Sequence, residues 1–398
     1  MGMLVNSFIA FGGAAPPAGP YNFPIMMCSS ATTGVATDTY IGLMHSFDND
    51  WYTTTAFTQS ITPVELSLAN FKFVLGTAPG GGVTRTISIL DDGTTTGLDA
   101  VIVDSATSAT DAGPATVAAQ STLQIVTTDN GVPAASVLSR WRVDCTSENQ
   151  VLLAASHFAL STSTNRYLSL MGDFASATQA VVSQVIPIAG NIKNLIVKNV
   201  TSVLTSGSFV VTLMVNGSAS ALTCTIDNSG VIFADATHSV AVVAGDLVAW
   251  QVDPVSPNAT KAIAIGCEFE CSVAGTGIIM GGSNTNASNS AAAYSWAGEG
   301  AAWDATETDV QALAQAITVT DLYVRLSAAT GAGKTRTTLL RDDAAGTAVS
   351  VAISDASAVT GSWNGSVSVA VDSLICIETT PDGTPAASTV KWGLAYHT

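Results

Sequence analysis

Phe209-Val210-Val211-Thr212-Leu213-Met214-Val215-Asn216-Gly217 is the stretch whose reading decides the fold. Thr212, Met214 and Asn216 alternate with Val211, Leu213 and Val215, the period of two that turns one strand face to a core and the other to solvent. Asn216-Gly217 then supplies the positive φ that a tight hairpin turn requires. Outward from this hairpin, residues 192–198, 221–226, 239–243 and 247–252 read as further strands, with Ala244-Gly245-Asp246 as a turn. Asp235-Ala236-Thr237-His238 reads as a polar loop.

The same order of strands and turns returns on both sides. Upstream, strands are expected over 64–74, 84–90, 100–103, 123–127 and 137–143, with turns at Asp91-Asp92-Gly93 and Asp129-Asn130-Gly131. Downstream, strands are expected over 322–326, 337–341, 349–353, 366–371, 374–379 and 389–395, and residues 310–316 read as one or two helical turns. Thr84-Arg85-Thr86 followed by Asp91-Asp92 is repeated as Thr335-Arg336-Thr337 followed by Asp342-Asp343. Tyr40-Ile41-Gly42-Leu43-Met44 is repeated as Tyr167-Leu168-Ser169-Leu170-Met171, and Gly277-Ile278-Ile279-Met280 reads as a weaker third copy. Val132-Pro133-Ala134, Ser256-Pro257-Asn258 and Thr384-Pro385-Ala386 hold one late position in each copy. A repeat this long is a whole small β domain, since solenoid and propeller units run only about 20–50 residues.

The fold class expected is therefore all-β: three tandem antiparallel β-sandwich domains in jelly-roll order, at 40–160, 161–272 and 273–398. Residues 1–39, rich in Gly and Pro, read as an extended N-terminal arm. An immunoglobulin-like sandwich is the alternative, although its Cys…Trp…Cys spacing is missing.

Composition narrows the function classes. Only 11% of the 398 residues are charged while 47% are hydrophobic, which argues against disorder and suits a surface covered by neighbours. The net charge of −17 and the scattered Lys and Arg disfavour nucleic acid as a partner. No apolar run approaches a membrane span, and the N-terminal segment lacks the basic region of a secretory signal, so synthesis in a host cytoplasm without a signal peptide is expected. The six cysteines are dispersed among apolar runs and read as buried free thiols.

Motifs for chemistry are weak. Gly331-Ala332-Gly333-Lys334-Thr335 lacks the earlier Gly of a P-loop, having Ala328 there, and reads as part of a hairpin. His45, His157, His238 and His397 share no metal-ligand spacing. His238 with Ser239, Asp235 and Asp246 evokes a hydrolase triad, but no nucleophile elbow accompanies it. Asp48-Asn49-Asp50, Asp91-Asp92, Asp227-Asn228 and Asp342-Asp343 offer hard oxygen ligands, yet read first as turn residues bonding their own backbone. No enzyme, cofactor or metal is assigned.

Leu213-Met214-Val215-Asn216-Gly217, Leu222-Thr223-Cys224-Thr225-Ile226, His238-Ser239-Val240 and Ala244-Gly245-Asp246, together with Leu322-Tyr323-Val324-Arg325-Leu326 and Thr337-Thr338-Leu339-Leu340-Arg341, resemble a repeat of tailed-bacteriophage virion structural proteins. The resemblance implies a jelly-roll module of capsid decoration, fibre or tail proteins, assembling as a homo-oligomer, often a trimer, on major capsid or tail proteins. The expected location is the virion. Candidate interface or glycan contacts are the aromatics Phe8, Phe11, Tyr21 and Phe23 of the arm and Trp51, Tyr52, Trp296, Trp303 and Trp363 in polar, loop-like contexts. The alternative function is a carbohydrate-binding adhesin or receptor-binding fibre contacting a host surface glycan.

Overall fold

The structure, a computed structural model, describes residues 19–30, 33, 38–44, 51–136, 138–156, 158–298 and 302–398. Phe8, Phe11, His45, His157 and the Asp48-Asn49-Asp50 cluster lie outside the described residues.

Each third of the chain contributes eight principal strands. The first unit has β1 (Ile25–Ser29), β2 (Thr39–Ile41), β3 (Leu66–Leu75), β4 (Thr84–Asp91), β5 (Thr94–Val103), β6 (Ser108–Asp111, continued by Ala115–Val117), β7 (Thr122–Asn130) and β8 (Ser139–Ser147). The second has β9 (Gln150–Ala155), β10 (Arg166–Leu168), β11 (Gly190–Asn199), β12 (Ser208–Val215), β13 (Ser218–Ile226), β14 (Ile232–Val242), β15 (Leu247–Val255) and β16 (Ile263–Cys271). The third has β17 (Thr276–Gly282), β18 (Ala293–Ser295), β19 (Ile317–Leu326), β20 (Gly331–Asp342), β21 (Ala345–Asp355), β22 (Thr360–Val369), β23 (Leu374–Asp382) and β24 (Val390–His397).

The pairing is the same in every unit. One sheet runs β1-β8-β3-β6, then β9-β16-β11-β14, then β17-β24-β19-β22; the other runs β2-β7-β4-β5, then β10-β15-β12-β13, then β18-β23-β20-β21. First pairs with eighth, second with seventh, third with sixth and fourth with fifth, all antiparallel. That is one long hairpin rolled into two sheets, the jelly roll. The alternating burial of β3 and β13 follows from one face being turned to the core.

Several expectations change. Ile25–Ser29, read as arm, is the first strand of the first unit and pairs with Ser139–Ser147. Gln150–Ala155, placed at the end of the first domain, pairs with Ile263–Cys271 and opens the second unit. Gly277–Met280 lies on the first strand of its unit, so it is no copy of Tyr40; the true counterpart is Tyr294, 127 residues beyond Tyr167, as Tyr167 is beyond Tyr40. Residues 310–316 hold no helix: a short 3-10 turn at Glu307–Asp309 precedes the strand Ala312–Leu313. Asp235–His238 is strand rather than loop, and Trp363 lies on β22.

The repeated Thr-Arg-Thr has a structural cause. Arg85 is buried on β4 and pairs with Asp129 at 2.9 Å, while Arg336, buried at the same place on β20, faces Pro381 and donates to the Ser288 carbonyl. All six cysteines are free, and only Cys271 is less than fully buried. Burial pushes the Cys28, Cys145 and Cys224 thiols up to about 12, so they stay protonated. In the folded protein at pH 8, Cys271 is expected to react first with iodoacetamide and the other five only slowly. All six should react after unfolding in guanidinium; fast labelling of Cys28 or Cys145 in the native state would contradict this core.

Candidate functional site

The feature that all three units build together is a closed ring of seams. In each unit a two-residue strand follows the second principal strand: Ser60–Ile61, Gln184–Val185 and Ala312–Leu313. Ser60–Ile61 lies against β16 and β9 of the second unit, Gln184–Val185 against β24 and β17 of the third, and Ala312–Leu313 against β8 and β1 of the first. The third unit thus returns to the first, and the ring has pseudo-threefold order.

Close approach explains the residues at these seams. A Cβ on Gly266 would stand 1.9 Å from the Ile61 carbonyl oxygen, and one on Gly393 would stand 2.5 Å from that of Val185. Only glycine permits backbone to lie on backbone there. Pro63 and Pro187 cover the same two glycines from the following residues. Ile61, Ile196 and Ala264 form a small apolar cluster across the first seam.

Polar groups differ from seam to seam. Between the first and second units, Lys198 Nζ meets Asp92 Oδ1 at 3.4 Å. Between the second and third, the Gln150 side chain donates to the Ile278 carbonyl at 2.7 Å and accepts from the Ile278 amide at 2.6 Å, and Arg325 donates to the Gly245 carbonyl at 3.1 Å. Between the third and first, Asp372 bridges Lys72 (2.8 Å) and Arg142 (3.0 Å), while Arg140 donates to the carbonyls of Gln311 and Thr308. Burial opposes the charge on Asp372, but the Lys72 ammonium and Arg142 guanidinium outweigh it and hold its carboxyl below the usual range. At the centre of the ring, Met26, Met44, Val151, Met171, Ile279 and Ala297 close around a residual void of only about 10 Å³.

The aromatics proposed as contacts separate into two groups. Trp296 is wholly buried and donates its indole N–H to the Met26 carbonyl at 2.7 Å, bridging the third unit to the first. Trp51 is buried with its ring edge-on to Phe73, and Phe23 is buried near the centre of the ring. Tyr21, Tyr52, Trp303 and Trp363 are half-buried, and Tyr21 lies over Gly275 between the second and third units. These four do not form one stacking platform: Tyr52 packs beside Phe57, whereas Trp363 covers Gly365.

No catalytic set assembles from the candidates. His238 Nδ1 and Asp235 Oδ2 are 2.8 Å apart, but Ser239 is the next residue along the strand and so points to the other face. Burial opposes the charge on Asp235, while hydrogen bonds from the Thr223 amide, His238 and Thr237 hold its carboxyl well below the usual range. Asp246 accepts from Asn216 and from the Val243 amide, fixing the turn. Asp92 and Asp343 likewise accept from Thr122 and Leu374, and no group of three metal-ligating side chains occurs among the described residues. Lys334 lies on β20 with strand, not helix, after it, so no P-loop forms. No protein-family model matches the chain, and no curated protein is similar to it.

Two tests follow from the seams. Gly393→Val drives a side chain into the Val185 backbone and is expected to cost about 1–3 kcal/mol, read as a lower urea midpoint; an unchanged midpoint would contradict the close approach. Because the folded carboxyl of Asp372 is depressed, its contribution is complete above the ordinary carboxylate pKa and is lost as pH falls through the folded value. Asp372→Asn should therefore be less stable than the parent at pH 7, and the difference should shrink on acidification below about pH 4. A difference independent of pH would place the effect elsewhere.

Proposed function

We propose that this chain is a non-enzymatic structural protein of a virion, of the tailed-bacteriophage kind, decorating or protruding from the capsid or tail. One observation supports this reading above the rest: three jelly rolls of identical strand order close on one another through equivalent parts, so the feature the three units share is their mutual packing. The groups placed with most precision, Gly266, Gly393, Gln150, Trp296 and Asp372, serve contacts between units. A protein that must persist as part of a particle gains from this arrangement, because the glycine and apolar contacts of the seams, unlike the ion pairs beside them, are not screened by salt. The acidic surface limits adhesion to nucleic acid.

The ring also bears on oligomeric state. The threefold arrangement that the family resemblance attributes to three chains is met by three units of one, so the free protein is expected at the 40.3 kDa of a single chain in sedimentation equilibrium. A mass near three times that value would place the functional threefold between chains. The proposed role is tested by immunogold labelling with antibody raised against the chain: regular label on capsid or tail surfaces is expected. Label confined to membranes or to material outside particles would overturn it.

A further inference from the structure

The two connections between units converge on one pocket. Its lining comes from the short strand Tyr21–Asn22, from Glu148 in the connection of the first unit to the second, from Phe269 and Glu270 at the end of the second, and from Gly275 in the connection to the third. The volume is about 230 Å³, which at the share of a liquid water, about 30 Å³, is room for about seven heavy atoms.

The rings in this pocket are held by the backbone around them. Tyr21–Asn22 pairs with Thr146 and Ser147, which brings the Tyr21 ring beside Glu148. Glycine on two sides leaves space for that ring: a Cβ on Gly19 would stand 3.1 Å from it, and one on Gly275, at φ +72°, would stand 2.9 Å from it. Phe23 is the second ring. Its centroid is 6.3 Å from that of Tyr21 and its plane is inclined by 59°, so the two form a corner rather than a stack. Phe269 adds a third ring to the lining.

Two carboxylates share the lining, and only one is matched. Glu270 pairs with Lys193 at 2.9 Å, so its charge is met within the second unit. Glu148 is exposed and has no hydrogen-bond or ion-pair partner among the described residues. Its Oε2 lies only 2.7 Å from the place a Gly19 Cβ would take, on the same side as the Tyr21 ring. No Lys or Arg lines the pocket.

We infer that this pocket binds a small quaternary ammonium ion the size of choline. A methyl-covered cation donates no hydrogen bond from its nitrogen, so it is held by aromatic rings and a counter-charge rather than by acceptors in fixed directions. The Tyr21–Phe23 corner supplies the rings and Glu148 the charge. An ion here touches Tyr21 and both connections, so occupancy stiffens the junction of the three units.

Isothermal titration of the full chain with choline chloride tests this, with dimethylbutanol, in which a tert-butyl group replaces the trimethylammonium, as the uncharged control. Saturable binding of one choline per chain is expected, with dimethylbutanol weaker by about tenfold. Glu148→Gln changes an exposed side chain and should weaken choline about fivefold at an unchanged melting temperature. Tyr21→Leu should weaken it by about as much, and the Glu148 variant decides the matter if this one does not fold. Cys271 lines the same pocket, so saturating choline should slow its alkylation by iodoacetamide. Phosphatidylcholine vesicles separate the two sources of the group: the free ion is expected, leaving the chain in the supernatant, whereas pelleting that choline reverses would make the head group the occupant of the same pocket. Absence of heat at millimolar choline would overturn the inference. So would dimethylbutanol binding as tightly as choline, equal affinity in Glu148→Gln, or alkylation of Cys271 as fast with choline as without.

Discussion

The architecture depends on one contact made three times: a two-residue strand of each jelly roll laid against the first and eighth strands of the next. In two of the three cases the receiving residue is glycine, and backbone meets backbone with no side chain between. The constraint propagates in both directions. It fixes where the first strand of the next unit begins, and it brings β1, β9 and β17 to a common centre, where methionine and aliphatic side chains fill the space. Flexible, unbranched methionines suit a junction whose shape is dictated by three units of differing sequence.

The strand pattern was legible because most strands have one buried face. The alternation at Phe209–Val215, the Asn216-Gly217 turn and the repeated Thr-Arg-Thr strand carried the jelly-roll order into the sequence. The first strand of each unit escaped for the opposite reason. Ile25–Ser29, Gln150–Ala155 and Thr276–Gly282 are buried throughout, so they show no alternation and read as arm, as the end of the preceding domain or as a misaligned copy. A short apolar run without periodicity cannot be assigned by pattern alone.

The seams were illegible for a related reason. They are made by glycine, by backbone carbonyls and by pairs such as Gln150 with Ile278, none of which leaves a periodic or compositional trace. Trp296 does serve an interface, but an internal one, and its polar sequence surroundings are explained by the loop that carries it rather than by exposure.

Unequal polar bonding at the three seams follows from how the chain is tied. The first unit passes to the second through Glu148-Asn149, and the second to the third through residues 272–275, so those seams close at the high effective concentration that a short linker imposes. The third seam has no covalent link: Thr398 reaches Asn22 only through a hydrogen bond of 3.0 Å. It is this seam that holds Arg140 on two carbonyls, Arg142 and Lys72 on Asp372, Gln315 on Asp144, and the Trp296 indole on Met26. Directional, partly buried bonds accumulate where the entropy of closing the ring is not already met by the chain. Three units in one chain can divide the work in this way, whereas three identical subunits must make every seam alike.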